Sequence, residues 1–141
     1  SRSPMQWDKT LNAGFSLASP EKLYIKQDES DDRPDAESQI SDENSLYNEI
    51  RKLISIRRSH SALGNNSEIE FIYAEKNEYP LAFIRSSEDE KILVIINPAD
   101  REVSFPCEYK PKEAVYSFGR EISYEDKKIT VPPCSAGFYR V

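Results

Sequence analysis

Carboxylates are the first side chains in this sequence that could carry chemistry, because two of them can hydrolyse a glycosidic bond that they flank. The chain has 25 Asp and Glu residues among 141, so their number alone selects no pair. Several acids of the second half stand in predicted turns, where we expect solvation: Glu88, Asp89, Glu90, Glu125 and Asp126. The residues alone therefore single out no catalytic pair.

Histidine, glycine and cysteine give no alternative site. The one histidine, His60, stands at the end of a predicted helix, so we expect it to cap that helix. No G-x-S-x-G motif is present to support a Ser-His-Asp arrangement. The four glycines stand too far apart for a phosphate-binding loop. Cys107 and Cys134 lack metal-ligand spacing with His60, so we expect two reduced thiols in the core or at strand ends. We predict no metal and no cofactor.

The net charge of the chain limits its partners. At pH 7 it is −6, which repels the phosphates of nucleic acid and an anionic membrane surface. The longest apolar run, Ile92–Ile96, is far shorter than the roughly 20 residues of a membrane span. The first twenty residues do not have the pattern of a signal peptide. We expect no nucleic-acid partner, no membrane insertion and a cytoplasmic location.

Residues 1–40 have no sustained hydrophobic period and contain several turn signals, so we predict an irregular segment. From Gln27 to Glu49 there are nine acidic residues against the single basic residue Arg33. This stretch lacks the ligand spacing and central glycine of a calcium loop. We interpret it as a solvated acidic connector.

Residues 41–64 have the period of one long amphipathic helix. Its apolar stripe consists of Leu46, Ile50, Leu53 and Ile54. Ser41 or Asp42 is the predicted N-cap, and Gly64 is predicted to end the helix in the left-handed conformation.

Residues 65–141 change to short β-branched and aromatic runs separated by turn signals. About seven such runs predict an antiparallel β-sandwich. The run Ile92–Ile96 is apolar at every position, so it should form a central strand covered on both faces. The predicted fold is mainly β, preceded by one long helix and an irregular N-terminal segment.

The N-terminal stretch "SRSPMQWDKTLNAGFS" contains large apolar side chains that no helical or strand period explains. It is followed by "SLYNEIRKLISIRRSHSAL", "YPLAFIR" and "ILVIINPADREVSF". In this order the blocks resemble the C-terminal third of the alpha-amylase superfamily, glycoside hydrolase family 13. The narrower resemblance is to the branch of oligo-1,6-glucosidases, alpha-glucosidases and trehalose synthases.

The resemblance implies a fragment of a longer enzyme. Residues 1–40 would come from the end of a missing (β/α)8 barrel, residues 41–64 would be its last helix, and residues 65–141 would be the Greek-key sandwich called domain C. The family's catalytic carboxylates would lie upstream, so this chain alone should be inactive. Its partners would be the missing barrel and, through the intact enzyme, alpha-linked glucose oligosaccharides.

The same resemblance places Arg2, Gln6 and Trp7 near the substrate of the intact enzyme. A guanidinium and an amide can hydrogen-bond sugar hydroxyls, and an indole offers a flat apolar surface to a sugar ring. The favoured role of Trp7, together with Met5 and Phe15, is to pack the loop against the barrel.

Two other functions remain open on the sequence. A free-standing carbohydrate-binding module would stack exposed aromatic side chains on sugar, with five candidates: Tyr73, Tyr79, Tyr109, Tyr116 and Tyr124. A structural sandwich unrelated to sugar is the other possibility. If the barrel is missing, part of the helix stripe should face water, and we expect this to promote self-association.

Overall fold

The computed structural model describes residues 3–141, which form two compact units. The first unit ends at Ile54, and the second is Ser55–Val141. The first contains two short 3₁₀ turns, Leu11–Gly14 and Pro20–Lys22, and a short helix α1, Ala36–Ser41. A longer helix α2, Leu46–Ser59, runs across the boundary between the units. The N-terminal segment is thus mostly irregular, as predicted, with one turn and a half of helix at its end.

The N-cap of α2 is Ser45, and the prediction of Ser41 or Asp42 was wrong. The Ser45 hydroxyl accepts a hydrogen bond from the Asn48 N–H at 3.2 Å. Ser41 instead ends α1, and Asp42 follows it in an extended conformation. The sequence has several cap-forming residues in this stretch, and only the break between α1 and α2 decides which one is used.

The C-terminal end of α2 also differs from the prediction. The helix stops at Ser59, and a separate 3₁₀ turn, Ser61–Leu63, follows. Gly64 has φ −70° and ψ 172°, so it is extended and not left-handed. Its N–H donates to the Ser61 carbonyl at 3.0 Å, which closes the 3₁₀ turn rather than α2.

Eight strands follow, all paired antiparallel. They are β1 Glu68–Tyr73, β2 Leu81–Ser86, β3 Lys91–Asn97, β4 Val103–Pro106, β5 Ala114–Phe118, β6 Ser123–Glu125, β7 Lys128–Val131 and β8 Ser135–Arg140. One sheet has the order β1-β2-β3-β8-β5 and the other β4-β7-β6. The two sheets share one buried core, in the manner of a sandwich. The predicted mainly-β fold with one long helix is confirmed.

Strand β3 lies at the centre of the five-stranded sheet and is covered on both faces, as predicted. Leu93 and Ile95 belong to the core shared with the second sheet. Ile92 and Val94 point to the opposite face, where they pack against Ala62 of the 3₁₀ turn. A strand buried on both sides needs apolar residues at consecutive positions.

Cys107 and Cys134 are free thiols, as predicted, the first buried and the second exposed. Burial raises the pKa of the Cys107 thiol. Across the described part of the chain, we find no helix with the length and apolar character needed to cross a bilayer.

Candidate functional site

The backbone of Gln6 and Trp7 is held by the first turn of α1. The Gln6 carbonyl accepts the Ala36 N–H and the Trp7 carbonyl accepts the Glu37 N–H, both at 2.9 Å. These two amides begin the helix and have no acceptor within it. Two residues that the sequence singled out are therefore anchored through their main chain, which leaves their side chains available for other contacts.

Asp35 completes this anchor as the N-cap of α1. Its carboxylate accepts the Ser38 N–H and the Ser38 hydroxyl, each at 2.8 Å. These hydrogen bonds lower the pKa of the Asp35 carboxyl. Asp35 is buried, and its carboxylate stabilises the helix end that holds Gln6 and Trp7.

A left-handed turn forms the other side of the anchor. Asn12, Ala13 and Gly14 all have positive φ, at 52°, 54° and 69°. The Ala13 carbonyl accepts the Trp7 N–H at 2.9 Å. A Cβ on Gly14 would stand 2.6 Å from an oxygen of the Asp8 carboxylate, so both the dihedral angle and the space require glycine here.

The Trp7 and Gln6 side chains line an open groove of about 710 Å³ within the first unit. Trp7 is 52% exposed and Gln6 is half-buried. Met5, Ile40 and Tyr47 are among the apolar residues that also line it. An indole beside an amide offers a flat apolar surface and hydrogen-bonding groups together, the combination that binds a sugar ring. Arg2, the third predicted substrate-proximal residue, lies outside the described residues.

A second groove adjoins the first along α2. Its wall contains Leu46, Ile50 and Ile54 of the predicted stripe. All three are exposed, Leu46 to 72%. Gln39 and Tyr47 line both grooves, so the two form one apolar surface. We call it the unit-1 apolar surface.

His60 and Glu90 differ from the expectations. The His60 ring does not cap α2; its Nδ1 lies 2.7 Å from Oε1 of Glu90. Glu90 is therefore not a solvated turn residue, and its side chain is only 14% exposed. Glu88 and Asp89 beside it are exposed, as predicted. A contact across thirty residues leaves no local signal in the sequence that could have revealed it.

The candidate sugar-stacking tyrosines are mostly structural. Tyr73, Tyr109 and Tyr124 pack against the core shared by the two sheets. Tyr116 is buried, with its ring 5.0 Å from that of Phe138. Only Tyr79 among the five candidates is exposed. Within residues 3–141, moreover, no cluster of three or more His, Cys, Asp or Glu side chains could hold a metal ion.

Two family models match the chain in succession. Residues 1–66 match the model described as alpha amylase, catalytic domain. Residues 69–137 match the model described as maltogenic amylase, C-terminal domain. The residues that build the groove thus fall in the first match, and most of the sandwich falls in the second.

Individual relatives match most of the chain. The chain is 27% identical over 145 residues to an oligo-1,6-glucosidase of Parageobacillus thermoglucosidasius, a match that covers 99% of this chain and 25% of the relative. It is 32% identical over 105 residues to a trehalose-6-phosphate hydrolase of Bacillus subtilis (strain 168), covering 74% and 18%.

Solved structures also match nearly the whole chain. The trehalulose synthase MutB from Pseudomonas mesoacidophila MX-45 superposes with a TM-score of 0.80 at 26% identity, covering 99% of this chain and 25% of that one. The chain therefore spans about a quarter of the length of the relatives that match it over nearly all its residues.

Proposed function

The chain belongs to the alpha-amylase superfamily, glycoside hydrolase family 13, and from this membership we propose that it is the C-terminal part of an enzyme acting on alpha-glucosidic bonds. The proposed substrates are malto- or isomalto-oligosaccharides, and the proposed reaction is that of a retaining glycoside hydrolase or a related transferase or isomerase. The order of the two family matches along one chain carries this proposal. In it, residues 65–141 are structural and do not take part in catalysis.

Gln6 and Trp7 are the residues of this chain that we assign to the substrate pocket, together with Arg2. The support is their main-chain anchoring on α1, which holds Trp7 half-exposed beside Gln6 in one groove. Such a preformed surface binds a sugar ring with little loss of conformational entropy. The reacting carboxylates are proposed to lie in another part of the intact enzyme, which corresponds to the part of the relatives that this chain does not match.

The α2 part of the unit-1 apolar surface, formed by Leu46, Ile50 and Ile54, is the proposed contact with the remainder of the catalytic domain. It lies within the part of the chain that the catalytic-domain model matches. An exposed apolar surface of this kind is a usual sign of a protein interface. In the isolated chain the same surface would promote self-association. The free thiols of Cys107 and Cys134 are in keeping with a cytoplasmic location, which we also propose.

The test joins this chain to the first three quarters of the Parageobacillus thermoglucosidasius oligo-1,6-glucosidase, in place of the quarter that it matches. Hydrolysis of maltose and isomaltose is measured for the fusion and for this chain alone. We expect activity only in the fusion. A folded but inactive fusion, or hydrolysis by the chain alone, would contradict the proposal.

Trp7→Ala within the active fusion tests the pocket assignment. Loss of one aromatic face should lower kcat/KM by about tenfold. Leu17→Ala is the matched control, because Leu17 lies in the same segment and is 98% exposed. Equal effects of the two substitutions on kcat/KM would contradict the assignment of Trp7 to the pocket.

The competing function is a free-standing carbohydrate-binding module, for which half-exposed Trp7 in its groove is the supporting observation. Trp7 is the only tryptophan of the chain, so its fluorescence reports directly on this groove. Titration of the isolated chain with maltose and isomaltose separates the two functions. Saturable submillimolar binding would favour the module.

A further inference from the structure

The catalytic-domain match and the structural units end at different residues. The match extends to residue 66, whereas the second compact unit already begins at Ser55. Residues 55–66 are therefore the end of the catalytic-domain match and yet part of the unit that contains the sandwich. We call them the tail. Ala62 of the tail is fully buried and packs on Ile92 and Val94 of β3.

One carboxylate joins the tail to the sheet. Oε1 of Glu90 lies 2.7 Å from the His60 ring Nδ1 and 3.4 Å from Nε of Arg140. Oε2 of Glu90 accepts the Ala62 N–H at 3.3 Å. Glu90 precedes β3, Arg140 ends β8, and His60 and Ala62 belong to the tail. A single side chain thus connects the tail with two neighbouring strands of the sheet.

Burial makes this connection stronger than an ordinary surface ion pair. The side chains of His60 and Glu90 are only 16% and 14% exposed. A partly buried carboxylate is stabilised by several donors at once, and removing it leaves those donors without an acceptor. Other polar contacts also join the tail to the sheet, such as the part-buried bond from Arg85 of β2 to the Gly64 carbonyl at 2.5 Å, but each of them uses a different acceptor.

Other charged groups surround Glu90 without replacing it. Its neighbours along the chain, Asp89 and Lys91, are charged. On β8, Arg140 also pairs with Glu113 at 2.8 Å, so its charge is shared between two carboxylates. None of these groups contacts the tail in the hydrogen bonds described above, which leaves Glu90 as the acceptor that both His60 and Ala62 use.

We propose that Glu90 is a positioning residue that latches the tail of the catalytic-domain segment onto the C-terminal domain. The latch holds the 3₁₀ turn Ser61–Leu63 against β3, so the sandwich and the tail behave as one body. When the carboxylate is lost, the tail is released locally while the sheets stay folded. The proposal rests on the proposed function only in identifying the tail with a catalytic domain.

Amide hydrogen exchange in the full chain tests the latch. In Glu90→Gln we expect residues 62–64 to exchange about tenfold faster, because a neutral amide oxygen is a weaker acceptor for His60 and Ala62 than the carboxylate. The amides of β3 should keep their wild-type rates. Glu88→Gln removes the same charge two residues away, at an exposed position, and should change nothing. Unchanged exchange at residues 62–64, or a uniform increase through the sheet, would overturn the proposal.

The only histidine of the chain provides a second readout. A proton on Nδ1 of His60 that is bonded to Glu90 should be visible by NMR as a protected downfield imidazole signal. In Glu90→Gln this signal should lose its downfield shift and its protection, and in Glu88→Gln it should persist. Its persistence in Glu90→Gln would contradict the latch.

A variant that keeps the carboxylate guards against loss of folding. If Glu90→Gln does not fold, His60→Gln is used instead: it removes the ring contact but retains the bond from Ala62 to Glu90, so exchange at residues 62–64 should rise by less than in Glu90→Gln while β3 keeps its wild-type rates, and no rise would overturn the proposal. None of these measurements requires enzymatic activity. An inactive fusion with an intact latch would therefore refute the proposed function alone, and an active fusion with an unchanged tail would refute the latch alone.

Discussion

The carboxyl of Glu90 has opposing influences on its pKa. Burial raises it, but the hydrogen bonds from His60 and the Ala62 N–H, the His60 charge and the hydrogen bond from Arg140 outweigh burial, and the pKa is lowered. A carboxyl with a lower pKa in the folded state stabilises that state at any pH where the unfolded chain is also ionised. This stabilisation is lost as the pH falls through the folded-state pKa.

Glu90→Gln should therefore lower the melting temperature above about pH 5, since the unfolded carboxyl titrates near pH 4.3. Below about pH 4 the difference between wild type and variant should shrink, because protonation removes the same charge from the wild type. Melting curves at several pH values between 7 and 3 measure this. Glu88→Gln should show no such trend, and a difference that grows in acid would exclude the assigned cause.

Gly14 should not tolerate a side chain. Gly14→Ala places a methyl group at φ 69° against the Asp8 carboxylate, and we expect the first unit to lose about 1–2 kcal/mol of unfolding free energy. Urea unfolding followed by Trp7 fluorescence measures the loss. Ala13→Gly is the control, since it removes the strain of a positive φ while deleting one buried methyl group, and should change the stability by less than about 0.5 kcal/mol. Equal losses would show that backbone handedness is not the reason.

At the scale of elements, β3 was predictable and the ends of α2 were not. The run Ile92–Ile96 is apolar throughout, and a pattern of that kind has few explanations other than burial on both faces. Ser41, Asp42 and Ser45 are all good N-caps, and the choice among them depends on where α1 stops. Gly64 resembles a helix terminator, but the separate 3₁₀ turn at Ser61–Leu63 takes up the intervening residues.

The central strand and the edge strand of the five-stranded sheet predict different losses of stability for the same Ile→Ala substitution. Ile95→Ala removes a fully buried side chain at the centre, and we expect a loss of about 2–5 kcal/mol. Ile69→Ala on the edge strand β1 removes a side chain that is 50% exposed, and it should cost less than about 1 kcal/mol. Calorimetry of both variants gives the comparison, and similar costs would contradict the assigned centre of the core.

The exposed stripe of α2 should make the isolated chain associate. Ile50→Asp places a charge in the unit-1 apolar surface and should shift the chain toward a monomer. Ser55→Asp adds the same charge on another side of the helix, at an exposed position, and should leave association unchanged. Light scattering with size-exclusion chromatography measures both. A wild-type chain that is strictly monomeric at high concentration would contradict this expectation.

At the scale of the whole molecule, the sequence was most informative where its residues made no sense locally. Trp7 and Phe15 follow no helix or strand period, and the blocks around them led to the correct family. The contact between His60 and Glu90 could not be predicted in the same way. Acidic residues in turns are usually solvated, and only the folded arrangement of the tail against the sheet brings the Glu90 carboxylate within 2.7 Å of the His60 ring.

The tail also determines where the protein can be divided. A cut after residue 66, at the border of the two family matches, would remove Ala62 from Ile92 and Val94 and would leave Glu90 without His60. A cut before Ser55 would keep these contacts together. We therefore expect residues 55–141 to melt at a higher temperature than residues 67–141 in calorimetry, and the reverse order would show that the tail adds nothing. The border between the two family matches and the border between the two folded units are then about a dozen residues apart. A gene fusion joined at the border of the family matches would separate the C-terminal domain from part of its own core.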